Sequence, residues 1–165
     1  MVYEYKQDDP KKCTAARLRK FGLVEGLRNV QRIPSSSIVL NPVAKSKLSM
    51  LDRPLVEKSG LVGLDCSWNK SEKIFPQHTP GETRRLPALL AGNPTNYAVL
   101  GKLSTVEALA SALFITGFER EATQLLSLFK WGRTFLALNK EPLEAYAKSE
   151  PLNLEKVESE FFNTN

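Results

Sequence analysis

The sequence RRLPALLAGNPTNYAVLGKLSTVEALASAL at residues 84–113 combines an apolar run, a polar turn and the start of a helix. Residues 86–91 have the length and composition of a buried strand. Gly92-Asn93-Pro94 predicts a turn, and Ser104 with Glu107 has the spacing of a capping box. Because the backbone N–H groups at a helix N-terminus are unpaired, this arrangement predicts a ligand pocket. An ordinary strand-to-helix connection is the alternative.

The sequence changes character at this segment. Residues 1–85 alternate between short apolar runs and helical patterns, whereas helical patterns alone follow residue 104. The predicted strands are 2–5, 37–40 and 61–66. The predicted helices are 15–21, 43–51, 53–59, 105–115, 119–131, 134–138, 142–147 and 152–162. Residues 25–36 and 69–83 predict irregular structure. We therefore expect an α/β protein with a basic α/β subdomain at 1–85 and a mainly helical subdomain at 86–165.

The net charge of +5 is unevenly distributed along the chain. Residues 1–85 contain 16 Lys and Arg against 9 Asp and Glu, whereas residues 86–165 contain 7 against 9. A basic first half favours a polyanionic partner, most simply a nucleic acid. A solvated, mildly basic surface would give the same counts.

Length and composition exclude several classes of protein. The 165 residues suffice for one compact domain or two packed subdomains. No apolar run reaches the roughly 20 residues of a membrane span, and no signal peptide opens the sequence. Cys13, Cys66 and His78 lack the spacing of metal ligands. We therefore expect a soluble, cytoplasmic protein with reduced thiols, no metal and no membrane partner.

Two places in the first half carry candidate functional groups. Thr14 is a candidate N-cap that follows a predicted strand and a polar loop, a unit suited to binding a phosphate or carboxylate; it would equally cap its own helix. Asp65 and Trp68 follow a buried strand, where open α/β sheets bind ligands. The alternatives are a turn cap for Asp65 and a core anchor for Trp68.

Seven blocks of sequence occur in an order that resembles a known family. They are KKCT (11–14), LNP (40–42), LDCSW (64–68), LPALLAGNPTNY (86–97), KLSTVEALA (102–110), FKWG (129–132) and FLALN (135–139). The chain resembles the small-subunit ribosomal RNA aminocarboxypropyltransferases, as an archaeal-type member. The resemblance implies a SPOUT-like fold with a trefoil knot that binds S-adenosylmethionine, and a monomer that acts on small-subunit rRNA or a pre-ribosomal particle. It also implies transfer of a 3-amino-3-carboxypropyl group to N3 of a hypermodified pseudouridine.

The family's motifs imply which residues contact the cosubstrate. The implied contacts are Thr14, Leu64, Leu86, Gly101 and Thr105, where Leu64, Leu86 and Gly101 offer mainly main-chain atoms. Trp68 would shield the methyl group. Asp65 would take the proton from N3 as general base, fix its loop, or pair with the sulfonium.

The same resemblance implies that the basic residues of the first half bind rRNA. They would follow the rRNA backbone while the target base, in a single-stranded loop, is splayed into the pocket. These residues are Lys11, Lys12, Arg17, Arg19, Lys20, Arg28, Arg32, Arg84 and Arg85. The chain departs from the family at Ala98, where glycine is usual, and at Gly101, where an aromatic residue is usual, so stacking there is lost. A SPOUT-type methyltransferase and a non-catalytic pre-rRNA-binding assembly factor stay as alternatives.

Overall fold

A computed structural model describes residues 1–4, 13–65 and 79–162, without the side chains of Glu4 and Asp65. Five short strands form one sheet in the order β2–β1–β4–β3–β5, and every strand pair is parallel. The strands are β1 (Val2–Glu4), β2 (Gly26–Leu27), β3 (Ile38–Leu40), β4 (Leu61–Asp65) and β5 (Glu82–Arg84). A parallel sheet needs crossover connections, and the α/β class expected from sequence is confirmed.

The described residues also form seven α-helices. They are α1 (Thr14–Lys20), α2 (Arg53–Ser59), α3 (Thr105–Ile115), α4 (Glu119–Ser127), α5 (Gly132–Leu138), α6 (Lys140–Lys148) and α7 (Leu154–Phe161). Helix α3 is central, because it packs against β4, α1, α4 and α6. No helix in the described ranges combines the length and apolarity that crossing a membrane requires.

The two faces of the sheet are buried against different clusters. Ile38 and Leu61 pack into the main core, which also contains residues of the helices. Val39, Val62 and Leu64 pack into a smaller cluster with residues around β2. This alternation follows from the two-residue period of a strand. Burial on both faces explains why these strands are almost wholly apolar.

The strand predicted at 86–91 is absent. This segment joins no ladder, and its only regular pairing is an isolated antiparallel bridge between Leu90 and Leu100. Leu89 and Ala91 are nevertheless fully buried. Pro87 lacks the N–H that a strand in the middle of a sheet must donate. The apolar run therefore predicted burial correctly and strand pairing wrongly.

The helix predicted at 43–51 is also wrong. Residues 43–49 are irregular, and a 3-10 turn (Met50–Asp52) leads directly into α2. The backbone here is bonded to the chain after β5, since the Leu48 N–H donates to the Arg85 carbonyl over 2.8 Å. Ser49 and Asp52 form a capping box, so the helical segment starts at Ser49.

The other predicted elements differ from the observed ones mainly at their ends. The helix predicted at 119–131 ends at Ser127, and the remaining helices agree within a few residues. The segments predicted as irregular contain the short strands β2 and β5. Residue 66 of the predicted strand and residues 69–78 of the predicted irregular segment lie outside the described residues.

Candidate active site at the carboxyl edge of the sheet

The N-termini of α1 and α3 meet beside β4. The Val106 N–H donates to Thr14 Oγ1 over 3.3 Å, which joins the first turns of the two helices. Gly63 of β4 lies directly beneath α3: a Cβ atom there would lie 3.3 Å from Thr105 Cγ2 and from Leu109. Thr14, Thr105 and Gly63 of β4 are therefore brought together, and the cosubstrate contacts expected from the family's motifs stay predictions.

The predicted capping role of Thr14 is wrong. Cys13 is the N-cap of α1, and its Sγ accepts a hydrogen bond from the Ala16 N–H over 3.3 Å. Thr14 is already the first helical residue, so its side chain does not cap its own helix. Its hydroxyl instead bonds the backbone of α3.

The carboxyl ends of β1 and β4 lie side by side, since Glu4 is paired with Asp65. Ligands of open α/β sheets bind outside this edge. The Asp65 side chain is not among the described atoms, and Lys11, Lys12, Trp68, Cys66 and His78 lie outside the described residues. Their predicted roles stay predictions.

Leu64, Leu86 and Gly101 differ in how they could offer main-chain atoms. The Leu64 side chain is buried on the face of the sheet away from α3. Leu86 is half-buried against the main core. Gly101 is exposed and has a φ of 74°, a conformation that favours glycine.

Residues 89–101 fold back on themselves. The Gly101 N–H donates to the Leu89 carbonyl over 2.9 Å, and Ala91 exchanges bonds with Val99 and Ala98 at 3.1 and 2.7 Å. Gly101 is thus paired with Leu89, which lies three positions after Leu86 in the sequence. Ala98 has a φ of 59° and is the only described residue other than glycine with a positive φ. The glycine usual at this place in the resembled family therefore has a physical reason.

Polar side chains of the C-terminal helices hydrogen-bond to the backbone of the segment after Leu86. Asn139, which is fully buried, accepts from the Leu90 N–H and donates to the Leu90 carbonyl, both over 2.8 Å. The Tyr146 hydroxyl donates to the Ala88 carbonyl over 3.0 Å, and Glu158 accepts from the Ala88 N–H over 2.8 Å. Burial, together with the Glu158 carboxylate, raises the pKa of Tyr146 well above its usual range. The Tyr146 phenol therefore stays protonated at neutral pH and can donate its hydrogen bond to the Ala88 carbonyl.

The capping box at the start of α3 is confirmed and forms part of a larger arrangement. Glu107 Oε2 accepts from the Ser104 N–H and hydroxyl, each over 2.7 Å. The same carboxylate also accepts from the Gly92 N–H over 2.6 Å and from the backbone and side-chain N–H groups of Asn93 over 3.0 and 2.8 Å. The capping box predicted from sequence accounts for the bond from the Ser104 N–H and not for the others.

The predicted RNA-binding residues fall into two groups. Five of them are exposed on or near the first helix and β2: Arg17, Arg19, Lys20, Arg28 and Arg32. Arg84 and Arg85 instead form ion pairs, the first with Asp52 and the second with Glu155, both over 3.0 Å. Within the described ranges, no three His, Cys, Asp or Glu side chains cluster as a metal site.

Comparison with known proteins identifies the family. The family described as "Ribosome biogenesis protein, C-terminal" matches residues 38–162. The 16S rRNA aminocarboxypropyltransferase of Methanopyrus kandleri is 45% identical over 98% of this chain and 96% of its own. That of Methanococcoides burtonii is 42% identical over 97% and 92%. The chain belongs to the 16S rRNA aminocarboxypropyltransferase family.

A solved structure of the family has the same fold. The structure described as the SAM-dependent rRNA:acp-transferase Tsr3 from Vulcanisaeta distributa is 36% identical, with a TM-score of 0.85 over 97% of this chain and 93% of its own. This agreement extends over both the parallel sheet and the helices.

A second, shorter family match has a different character. Residues 1–32 match the family described as "Possible Fer4-like domain in RNase L inhibitor, RLI". Iron–sulfur clusters are usually bound by four cysteine thiolates, and Cys13 is the only cysteine in this stretch. Residues 1–32 therefore lack the four cysteines that would bind an iron–sulfur cluster.

Proposed function

We propose that this chain transfers the 3-amino-3-carboxypropyl group of S-adenosylmethionine to small-subunit rRNA during ribosome biogenesis. The observation that carries the proposal is 42–45% identity, over nearly the whole chain, to proteins named 16S rRNA aminocarboxypropyltransferase. The acceptor atom proposed is N3 of a hypermodified, N1-methylated pseudouridine.

The cosubstrate is proposed to bind where α1, α3 and the end of β4 converge. Thr14, Leu64, Leu86, Gly101 and Thr105 are the proposed contacts, with Trp68 against the methyl group. The 3.3 Å bond between Thr14 Oγ1 and the Val106 N–H supports this assignment, because it brings two of these elements together. The carboxyl edge of a parallel sheet supports it as well.

The reaction requires orientation more than activation. The sulfonium makes three carbons electrophilic, and the bound geometry selects among them. The new bond joins N3 to the terminal carbon of the aminocarboxypropyl arm, while the bond from that carbon to sulfur breaks. The sulfur leaves with its methyl and adenosyl groups as 5′-methylthioadenosine. Asp65 is proposed to take the proton from N3.

The rRNA is proposed to lie along the basic first half of the chain. Arg17, Arg19, Lys20, Arg28 and Arg32 support this placement because all five are exposed. Lys11 and Lys12 belong to the same proposal. Arg84 and Arg85 would have to exchange their carboxylate partners for phosphates.

Further properties are proposed on the same basis. Residues 1–85 would form the RNA-facing subdomain and residues 86–165 would contain the loops that bind S-adenosylmethionine. The segment 86–105 would thread as a SPOUT-like trefoil knot, a proposal supported by the burial of residues 91–93 outside the sheet. The protein would act as a cytoplasmic monomer.

Cosubstrate labelled at one of two positions tests the function. The protein is incubated with hypomodified small-subunit rRNA and S-adenosylmethionine labelled in either the carboxyl or the methyl group. Label in RNA from the carboxyl position alone is expected. Label from the methyl position alone would replace the proposal with methylation, and label from neither would favour a binding factor.

Asp65→Ala tests the general base. We expect transfer to fall by about 10²-fold or more, the usual size of general acid–base effects, with S-adenosylmethionine binding retained in a separate equilibrium measurement. Transfer at nearly the wild-type rate would show that Asp65 is not the base.

A further inference from the structure

Glu107 accepts hydrogen bonds from both ends of one loop. Its donors at the start of the loop are Gly92 and Asn93, and its donor at the end is Ser104. Ser104 lies twelve positions after Gly92 along the chain. The carboxylate itself is fully buried, in the first turn of α3. Glu107 therefore closes the loop and attaches it to the helix with a single side chain.

Main-chain bonds join residues 89 and 91 to residues 98, 99 and 101, whereas the closed end of the loop is bonded through Glu107 and Asn93. Asn93 supports the turn internally, since its Oδ1 accepts from the Asn96 N–H over 3.0 Å and its amide donates to the Lys102 carbonyl over 3.3 Å. Asn93 is itself bonded to Glu107 through its backbone and its side chain. The support that Asn93 gives to Lys102 therefore also depends on Glu107.

The arrangement requires a carboxylate. A carboxylate only accepts hydrogen bonds, whereas the side-chain amide of glutamine has one acceptor and one donor end. If the amide NH₂ faced the turn, the N–H groups of Gly92 and Asn93 would lose their acceptor. If it faced the helix, the Ser104 N–H and the Asn93 side chain would lose theirs. Either orientation leaves two N–H donors without the acceptor that they now share.

We propose that Glu107 is a positioning residue for S-adenosylmethionine, which acts through the loop that carries Gly101 and leads into Thr105. The inference rests on the proposed function. Gly101 and Thr105 lie on either side of Ser104, whose backbone Glu107 fixes. The carboxylate does not touch the cosubstrate. It determines where these two contacts lie relative to Thr14 and β4.

Glu107→Gln tests this role through cosubstrate affinity. The loss of two hydrogen bonds of about 1 kcal/mol each predicts S-adenosylmethionine binding and KM weakened by about tenfold or more. The KM for RNA should stay within twofold. A purely structural role would lower the amount of active protein and hence the apparent kcat, and would leave the KM for S-adenosylmethionine unchanged.

Thr116→Val is the matched control. Thr116 is fully buried at the other end of α3, where its hydroxyl donates to the Ala112 carbonyl over 2.7 Å. This variant should lower the melting temperature and leave S-adenosylmethionine affinity within twofold of the wild type. Equal weakening in Thr116→Val and Glu107→Gln would overturn the inference, because any damage to α3 would then have the same effect.

The outcomes separate this inference from the proposed function. Absence of S-adenosylmethionine binding by the wild-type protein would contradict the function itself. Tight binding by the wild type and equally tight binding by Glu107→Gln would contradict only the role of Glu107. Should Glu107→Gln not fold, Ser104→Ala removes one of the five donors, and about fivefold weaker binding is expected from a single lost bond. Unchanged affinity in that variant would overturn the inference.

Discussion

Two apolar segments, β4 and residues 86–91, obtain their backbone hydrogen bonds from different sources. Strand β4 is paired on both sides with main chain, from β1 and β3. Residues 88 and 90 are bonded instead by side chains of Asn139, Tyr146 and Glu158, which lie in or next to the C-terminal helices. Buried backbone groups need partners in either case. The sheet provides them in the first segment, and single polar residues provide them in the second.

This difference changes which substitutions matter. A strand pair keeps its backbone bonds when a side chain changes, because those bonds join main-chain atoms. The segment after Leu86 loses backbone bonds whenever one of its polar partners is replaced, and each buried group left unpaired costs about 1–3 kcal/mol. Residues 86–91 are therefore more sensitive than β4 to changes in distant side chains.

Glycine-to-alanine substitutions in β4 and directly after residues 86–91 should differ most in their effect on stability. A Cβ atom at Gly92 would lie 2.7 Å from Phe135 Cα and Cβ, so helix α5 would have to move. At Gly63 of β4 the nearest atoms are side-chain atoms of Leu109 and Thr105 at 3.3 Å. We expect Gly92→Ala to lower the free energy of unfolding by about 3 kcal/mol and Gly63→Ala by about 1 kcal/mol, since overpacking costs depend on what can yield.

Urea denaturation at equilibrium measures both glycine variants. Gly63→Ala serves as the control, because it adds the same methyl group at a buried strand position. Equal losses of unfolding free energy in the two variants would contradict the expectation that the backbone of α5 yields less easily than the side chains around Gly63.

Asn139→Leu should have the next largest effect. The substitution keeps the approximate size of the side chain and removes both bonds to Leu90. We expect a loss of about 2 kcal/mol of unfolding free energy, and faster amide hydrogen exchange at Leu90. Leu61→Val changes a buried side chain of β4 without removing a main-chain partner, and should leave the exchange of its own amide nearly unaffected. If the Leu90 N–H exchanges equally slowly in Asn139→Leu, the Asn139 side chain is not what protects it.

Ala98→Gly should stabilise the protein. Ala98 has a φ of 59°, and a left-handed conformation costs a residue with a Cβ atom about 1–2 kcal/mol. Glycine removes this strain but loses more entropy on folding, so we expect a net gain of about 1 kcal/mol in thermal or urea unfolding. A loss of stability would mean that the Ala98 methyl group makes packing contacts that outweigh the strain.

The smallest effect is expected at Glu155. The Lys47 ammonium lowers the pKa of the Glu155 carboxyl most, through a hydrogen bond and its charge, and Arg85 lowers it further in the same way. A lowered pKa stabilises the folded protein above the ordinary carboxyl pKa of about 4.3, and this contribution is lost as the pH falls through the lowered value. Since Glu155 is exposed, we expect Glu155→Gln to cost at most about 0.5 kcal/mol at neutral pH.

Acid and salt provide the check on Glu155. The difference between the variant and the wild type should shrink as the pH falls through the lowered pKa of the carboxyl, and should also shrink in high salt. A difference that persists at low pH would point to a contribution other than charge.

The sequence predicts the fold where local signals decide it. Helix α3 was predicted at its observed bounds, because Ser104 and Glu107 mark its start and Gly117 its end. Strand β4 was predicted nearly correctly from an apolar run closed by a polar residue. The prediction failed at residues 86–91, where the same signal is present but the partners come from residues 49 or more positions away.

The candidate site was predictable to a similar degree. The family's motifs marked Thr14 and Thr105, and the structure brings the first turns of their helices together. Neither Asn139 nor Tyr146 carries a local pattern that predicts its bonds to residues 88–90. Glu107 was found as a capping acid, yet its bonds to Gly92 and Asn93 depend on how the loop folds back, which spacing alone does not specify.

Identification of the spent cosubstrate tests the central claim most directly. The wild-type protein is incubated with S-adenosylmethionine and hypomodified small-subunit rRNA, and the small molecules are analysed by mass spectrometry. Transfer of the aminocarboxypropyl arm leaves 5′-methylthioadenosine, so we predict that this compound accumulates in step with the modified RNA and only when RNA is present. Accumulation of S-adenosylhomocysteine instead would contradict the account, because it would show that the methyl group is the one transferred.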